Sequence, residues 1–168
     1  MHPFATVGDV PKDLSERPSF LIGQLGYLMG KRFSELLRPL GIQPPHFGLL
    51  SYLADEEGQT QQQLADRMSV HRNVMVGLVD DLQGMGLVER RRHPEDRRAH
   101  ALYLTDEGRS VLVRANGIAD EHDTMLVGAL DSEDQGQLLE WLQLLAESNG
   151  LAPKVHPALQ DAGKSQTP

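Results

Sequence analysis

Five arginines fall within nine positions, Arg90, Arg91, Arg92, Arg97 and Arg98, with His93 and His100 beside them. Fixed cations at the tip of a hairpin suit the narrow, strongly negative minor groove of double-stranded DNA. Just upstream, a helical stretch opens with His71, Arg72, Asn73 and, one turn on, Val76. Arg72 could pair with guanine O6 and N7, Asn73 with adenine, and Val76 could touch a thymine methyl. Arg91 would meet a backbone phosphate. The competing reading is a hairpin that binds another protein.

Other chemistries find no support in these residues. No nucleophile-base-orienter pattern and no Gly-rich phosphate loop occurs, so catalysis and a bound cofactor are not expected. The absence of cysteine excludes disulfides, thiolate metal sites and thiol redox sensing. Seven histidines are present, but no two stand four residues apart as helical metal ligands do, so no metal site is expected.

These side chains need elements to hold them. Thr60 is positioned to cap a short helix over 61–68, and Ser69-Val70 turns the chain into a second helix over about 71–84. Met75, Leu78, Val79 and Leu82 give that helix a buried face. Arg72, Asn73, Val76, Gly77 and Asp80 form the opposite one. Residues 87–92 and 101–104 then read as two strands about the turn His93-Pro94-Glu95-Asp96. The piece from 60 to 105 is therefore a helix-turn-helix with a two-stranded wing.

Flanking this piece are apolar helices. Leu21, Ile22, Leu25, Leu28, Met29, Phe33, Leu36, Leu37 and Leu40 recur at three- and four-residue steps over 19–40, and Pro44-Pro45 opens the next helix. Thr105 caps a helix running to about 130, roughly 39 Å at 1.5 Å per residue. Ser132 and Gln135 open a last helix carrying Leu138, Leu139, Trp141, Leu142, Leu144 and Leu145. Such faces are most easily buried against each other and a second copy of the chain, so a symmetric homodimer is expected. The fold class is mainly α with a small β-hairpin wing (α+β).

The 168 residues carry a net charge of −8, which on its face argues against nucleic acid. The charge is unevenly placed. Between 86 and 105, five arginines face Glu89, Glu95 and Asp96, a local +2, and the other 148 residues sum to −10. No apolar run reaches the roughly 18 residues of a membrane span, and residues 1–18 lack a basic start followed by an apolar stretch. A cytoplasmic location without membrane contact is the expectation. Residues 1–18 and 150–168, rich in proline, read as tails that stay mobile unless a partner or the other subunit holds them.

Leu64-Ala65-Asp66-Arg67-Met68, Gly77-Leu78-Val79-Asp80-Asp81-Leu82, Gly86-Leu87-Val88-Glu89-Arg90, Pro94-Glu95-Asp96-Arg97-Arg98 and Leu104-Thr105-Asp106-Glu107-Gly108 closely resemble the MarR family of bacterial transcriptional regulators, over roughly 19–149. The resemblance implies a winged helix-turn-helix over about 44–105, with dimerisation helices over about 19–40 and 105–149. It implies a homodimer that represses genes at pseudo-palindromic operators and is released by a small phenolic or carboxylate effector. A constitutive regulator without a ligand is the alternative. By position, Asp96 resembles the acid that braces the wing and Arg98 the minor-groove arginine, with Arg97 contacting phosphate or sharing the groove. Arg17, Tyr27, Lys31, His46 and Tyr52 match the effector pocket between the dimerisation helices and the winged unit. His71 stands where a capping serine is common, and Ser69 where a turn glycine is common.

Overall fold

The computed structural model describes residues 13–94, 98–157 and 159. A 3-10 turn, Leu14–Glu16, leads into α1 (Pro18–Leu37), whose first residue is a proline that needs no amide partner there. A second 3-10 turn, Arg38–Leu40, ends on Gly41 with φ of 74°, and α2 (Pro44–Asp55) follows. At the start of α3 (Gln61–Arg67) the Thr60 hydroxyl accepts from the Gln63 N–H at 3.2 Å, and the Gln63 side chain accepts from the Thr60 N–H at 2.8 Å. Ser69 makes the turn into α4 (Arg72–Gly84) with φ of 51°, the left-handed conformation that a glycine would adopt without strain.

The wing is an antiparallel pair, β1 (Val88–Arg92) and β2 (His100–Leu104), in the register Val88 opposite Leu104 and Arg92 opposite His100. The chain between α2 and α3 pairs along the outer edge of β2. Gly58 N–H donates to Leu102 C=O, and Leu102 N–H donates to Gln59 C=O, each at 2.9 Å. This tie locks the wing to the helix-turn-helix.

Two long helices, α5 (Asp106–Val127) and α6 (Ser132–Ser148), complete the chain. The Leu-Thr-x-x-Gly motif at the start of α5 has a steric cause. Thr105 Oγ1 accepts from the Gly108 N–H at 2.9 Å and donates to the Gly86 C=O at 2.7 Å. This draws the first turn of α5 onto the root of β1, so closely that a Cβ on Gly108 would lie 2.0 Å from the Leu87 carbonyl oxygen.

The core lies in the winged unit. Leu49, Leu50 and Leu53 of α2, Leu64 of α3, Met75, Val79 and Leu82 of α4, and Leu102 of β2 are fully buried, together with Leu37 at the end of α1. The outer helices contrast with this. Among the described residues α1 buries only Leu37, and α6 buries none. The expectation of a mobile C-terminal tail is corrected in part. Beyond α6 the chain turns back, and Val155 and Leu159, 8% and 7% exposed, join the core. Residues 1–12, 158 and 160–168 of the expected tails lie outside the described residues.

Candidate nucleic-acid interface

The faces of α4 divide as its period requires. Met75, Leu78, Val79 and Leu82 are buried, while Arg72, Asn73, Val76, Gly77 and Asp80 are exposed along the opposite side. His71 is the N-cap of α4, and its Nδ1 accepts the Asn73 N–H at 3.2 Å. With Nδ1 an acceptor, the neutral ring carries its proton on Nε2, so the exposed imidazole has a donor to offer an anion or a base acceptor. The substitution for the usual capping serine thus preserves the cap and adds a donor.

The arginines of the wing are not equivalent. Arg90, on β1, donates to Asp80 and to Gln83, both on α4. It pins the wing to the helix, and its charge is matched by Asp80. Arg91 points to the other side of the strand, where it pairs with Glu89 and lies over the Tyr103 ring at 4.7 Å. The bond to Glu89 and that carboxylate's charge raise the Arg91 guanidinium above its ordinary value. Arg92 and Arg98 are exposed. Asp96 and Arg97 lie outside the described residues, and the proposed bracing of Arg98 by Asp96 lies outside them too. Sequence reading grouped Arg90 with the rest of the cluster and missed its link to α4. The available signal was strand alternation, which sets Arg90 and Arg91 on opposite faces.

A carboxylate steadies the other end of the hairpin. Glu57 accepts from the Leu104 N–H at 2.7 Å and from Arg109 Nη2 at 2.8 Å through both oxygens. Burial pushes its pKa up, but the Arg109 bond, the Leu104 N–H and the charges of Arg109 and Arg91 together outweigh it, leaving the carboxyl below its ordinary value.

Of the five candidates for an effector pocket, Arg17 precedes α1, Tyr27 and Lys31 lie on α1, and His46 and Tyr52 lie on α2. Arg17, Tyr27 and Lys31 are exposed on the α1 side, Tyr27 at 78%. Arg17 and Lys31 are fourteen residues apart, about 21 Å along a helix axis. His46 is buried, and the fold uses both of its ring nitrogens. Nδ1 accepts the Gln43 N–H at 3.2 Å, and Nε2 lies 3.5 Å from Asp81 of α4. Tyr52 is half-buried, with the Arg67 guanidinium 5.8 Å from its ring centre.

Sequence reading overlooked an aromatic group where α1, α2 and α5 meet. Phe33 packs edge-on to Phe47 at 5.5 Å and beside the His122 ring at 5.0 Å. His122 Nε2 donates to the Met29 carbonyl at 3.0 Å. A separate open depression of about 490 Å³ lies at the α1–α2 elbow, lined by Ser34, Glu35, Arg38, Ile42 and Gln43 among others. No group of three or more histidines and carboxylates among the described residues could hold a metal ion, and no described helix is long and apolar enough to cross a membrane.

Residues 40–99 match the model of the MarR family. The HTH-type transcriptional regulator BilQ of Clostridium symbiosum is 30% identical over 97 residues, covering 58% of this chain and 67% of that protein. A solved structure of the transcriptional repressor CouR bound to a 23-mer DNA duplex is 32% identical with a TM-score of 0.70, covering 79% of this chain and 94% of that one. CouR from Rhodococcus jostii RHA1 bound to p-coumaroyl-CoA is 28% identical with a TM-score of 0.67, covering 80% and 95%.

Proposed function

The chain belongs to the MarR family of transcriptional regulators, and on that premise we propose that it is a homodimeric repressor of double-stranded DNA, released by a small aromatic acid or its thioester. Each subunit lays α4 in a major groove, where Arg72, Asn73 and Val76 read base edges and His71 donates through Nε2. The wing reaches the flanking minor groove with Arg98 and Arg97, and Asp96 holds the Arg98 fork in place. Arg91, paired with Glu89, contributes a weaker phosphate contact than the cluster's charge suggests.

The observation that carries this reading is the link from Arg90 to Asp80 and Gln83. It joins the wing and the recognition helix into one unit, so that groove-reading and groove-inserting side chains meet DNA in a fixed relation. The DNA-bound CouR structure supports the same use of this fold.

The effector half rests on CouR bound to p-coumaroyl-CoA and on the ring group Phe33, Phe47 and His122. A planar aromatic acid could stack there between α1, α2 and α5, and a shift in the angle of those helices would change the separation of the two recognition helices. Mobility-shift titration of promoter-region duplexes tests the DNA half: specific retardation at low salt is expected, and retention of no duplex would favour the protein-interaction alternative. A thermal-shift screen with p-coumaroyl-CoA and salicylate tests the effector half. Stabilisation that Phe47→Ala removes is expected, while no shift with either compound would favour the constitutive regulator.

A further inference from the structure

The segment after α6 has no part in the site described above, yet it is built into the fold. Helix α6 ends in a reversal: Gly150, with φ of 71°, donates its N–H to the Glu147 C=O at 2.9 Å, and Leu151 donates to the Ala146 C=O at 3.0 Å. The chain then crosses to the end of α2, where Lys154 Nζ lies 2.5 Å from Oδ2 of Asp55. Lys154 takes φ of 63°, an unfavourable conformation for a residue with a Cβ, which must be held by its surroundings. Val155 and Leu159 enter the apolar cluster that contains Leu49, Leu50 and Leu53 of α2, and Ala152 packs against it.

The contrast with α6 gives this contact its meaning. That helix buries none of its residues in the single chain and exposes Leu139, Trp141, Leu142, Leu144 and Leu145. Its N-terminal end is held to α5, where the Gln135 side chain donates to the Val127 and Leu130 carbonyls at 3.3 and 2.9 Å. Its C-terminal end is held to the winged unit through the returning segment. Whatever fixes the outer helices therefore acts on the winged unit by two routes: through α5, which follows β2, and through residues 152–157 and 159 onto α2.

We propose that residues 152–157 and 159 form a strap that fixes the winged unit against the outer helices, and that Lys154, Val155 and Leu159 are positioning residues for DNA binding. The inference rests on the reading of the protein as a dimeric DNA-binding regulator. In such a dimer α6 lies in the dimerisation layer, so the strap ties that layer to the recognition helix of its own subunit. Its consequence is selectivity for half-site spacing. A dimer whose winged units are strapped accepts one separation of recognition helices, and a dimer with released straps tolerates neighbouring ones.

The test uses the full-length protein and a duplex recovered by selection from a random pool, alongside the same duplex with one or two base pairs inserted at its centre. Leu159→Asp places a charge at a buried position, and Lys154→Glu sets a carboxylate against Asp55. Either variant should remain dimeric by light scattering, lose hydrogen-exchange protection over 152–157, and narrow the preference for the native spacing by about two- to thirtyfold. The double variant Asp55→Lys with Lys154→Glu should restore that preference, a result that a loss of folding would not give. Unchanged spacing preference in variants whose strap exchanges freely overturns the strap. A wild-type protein that recovers no DNA overturns the regulator reading, and the strap's role with it.

Discussion

The winged unit and the outer helices are built from similar numbers of apolar residues but bury them differently. In α4, a helix of 13 residues, four apolar side chains are buried within the chain. In α1, of 20 residues, only Leu37 is, and Phe20, Leu21, Ile22, Leu25 and Leu28 stay at least 38% exposed. Single surface leucines are ordinary, but a contiguous stripe of them along α1 and α6 is the mark of a surface made for another surface. One region is thus specified by contacts within its own chain, whereas the other leaves its apolar stripe exposed in the single chain. Charge divides along related lines: the +2 of the wing sits on a body of −10. The acid total therefore does not oppose DNA binding. It weakens long-range steering and leaves affinity to a few placed cations.

The same truncation made in both regions separates burial within the chain from burial against a second copy. Leu82→Ala, at a fully buried position of α4, should lower the unfolding free energy by about 2–5 kcal/mol in chemical denaturation, whatever the protein concentration. Leu142→Ala on α6 should act through association, so its effect should depend on protein concentration. Equal, concentration-independent losses would erase the distinction. Gly108→Ala comes next. The Cβ would meet the Leu87 carbonyl oxygen, a backbone atom that cannot swing aside, and a loss of about 1–3 kcal/mol is expected by thermal or urea unfolding. A neutral result would show that the start of α5 can lift from the wing.

Arg98→Ala should weaken binding to a selected duplex by about 1–3 kcal/mol while leaving the dimer's mass by light scattering unchanged. Unaltered affinity would remove Arg98 from the interface. The smallest expected effect concerns Glu57. Its carboxyl is held below its ordinary value in the folded state, so its contribution to stability is present above the unfolded carboxylate range and is lost as pH falls through the folded value. In Glu57→Gln, the decline of the melting midpoint on acidification should be shallower than in the wild type. Parallel curves would show that Glu57 is not coupled to folding.

Much of the winged unit could be read from residue order. The buried face Met75, Leu78, Val79 and Leu82 follows from spacing alone, and Thr60 and Thr105 were identifiable as caps from side-chain chemistry and position. What could not be read depended on partners distant in sequence. Arg90 and Arg91 are adjacent and identical in type. Their different roles come from Asp80 and Gln83 on one side of the strand and from Glu89 and Tyr103 on the other. Val155 and Leu159 lie among prolines and polar residues with no helical or strand period, so no local signal marks them as core. Their burial depends on a long-range meeting with α2. Position along the helices points to Arg17, Tyr27, Lys31, His46 and Tyr52 as effector candidates, whereas the aromatic group of Phe33, Phe47 and His122 emerges only when three helices are brought together.

Selection of bound duplexes from a random pool by the full-length protein asks whether two recognition helices read DNA together. Enrichment of a pseudo-palindrome whose half-sites lie about one helical turn apart is expected, and it should weaken when Arg98 is replaced by alanine. Recovery of no sequence above background, or of a single asymmetric site bound by a monomer, would contradict it.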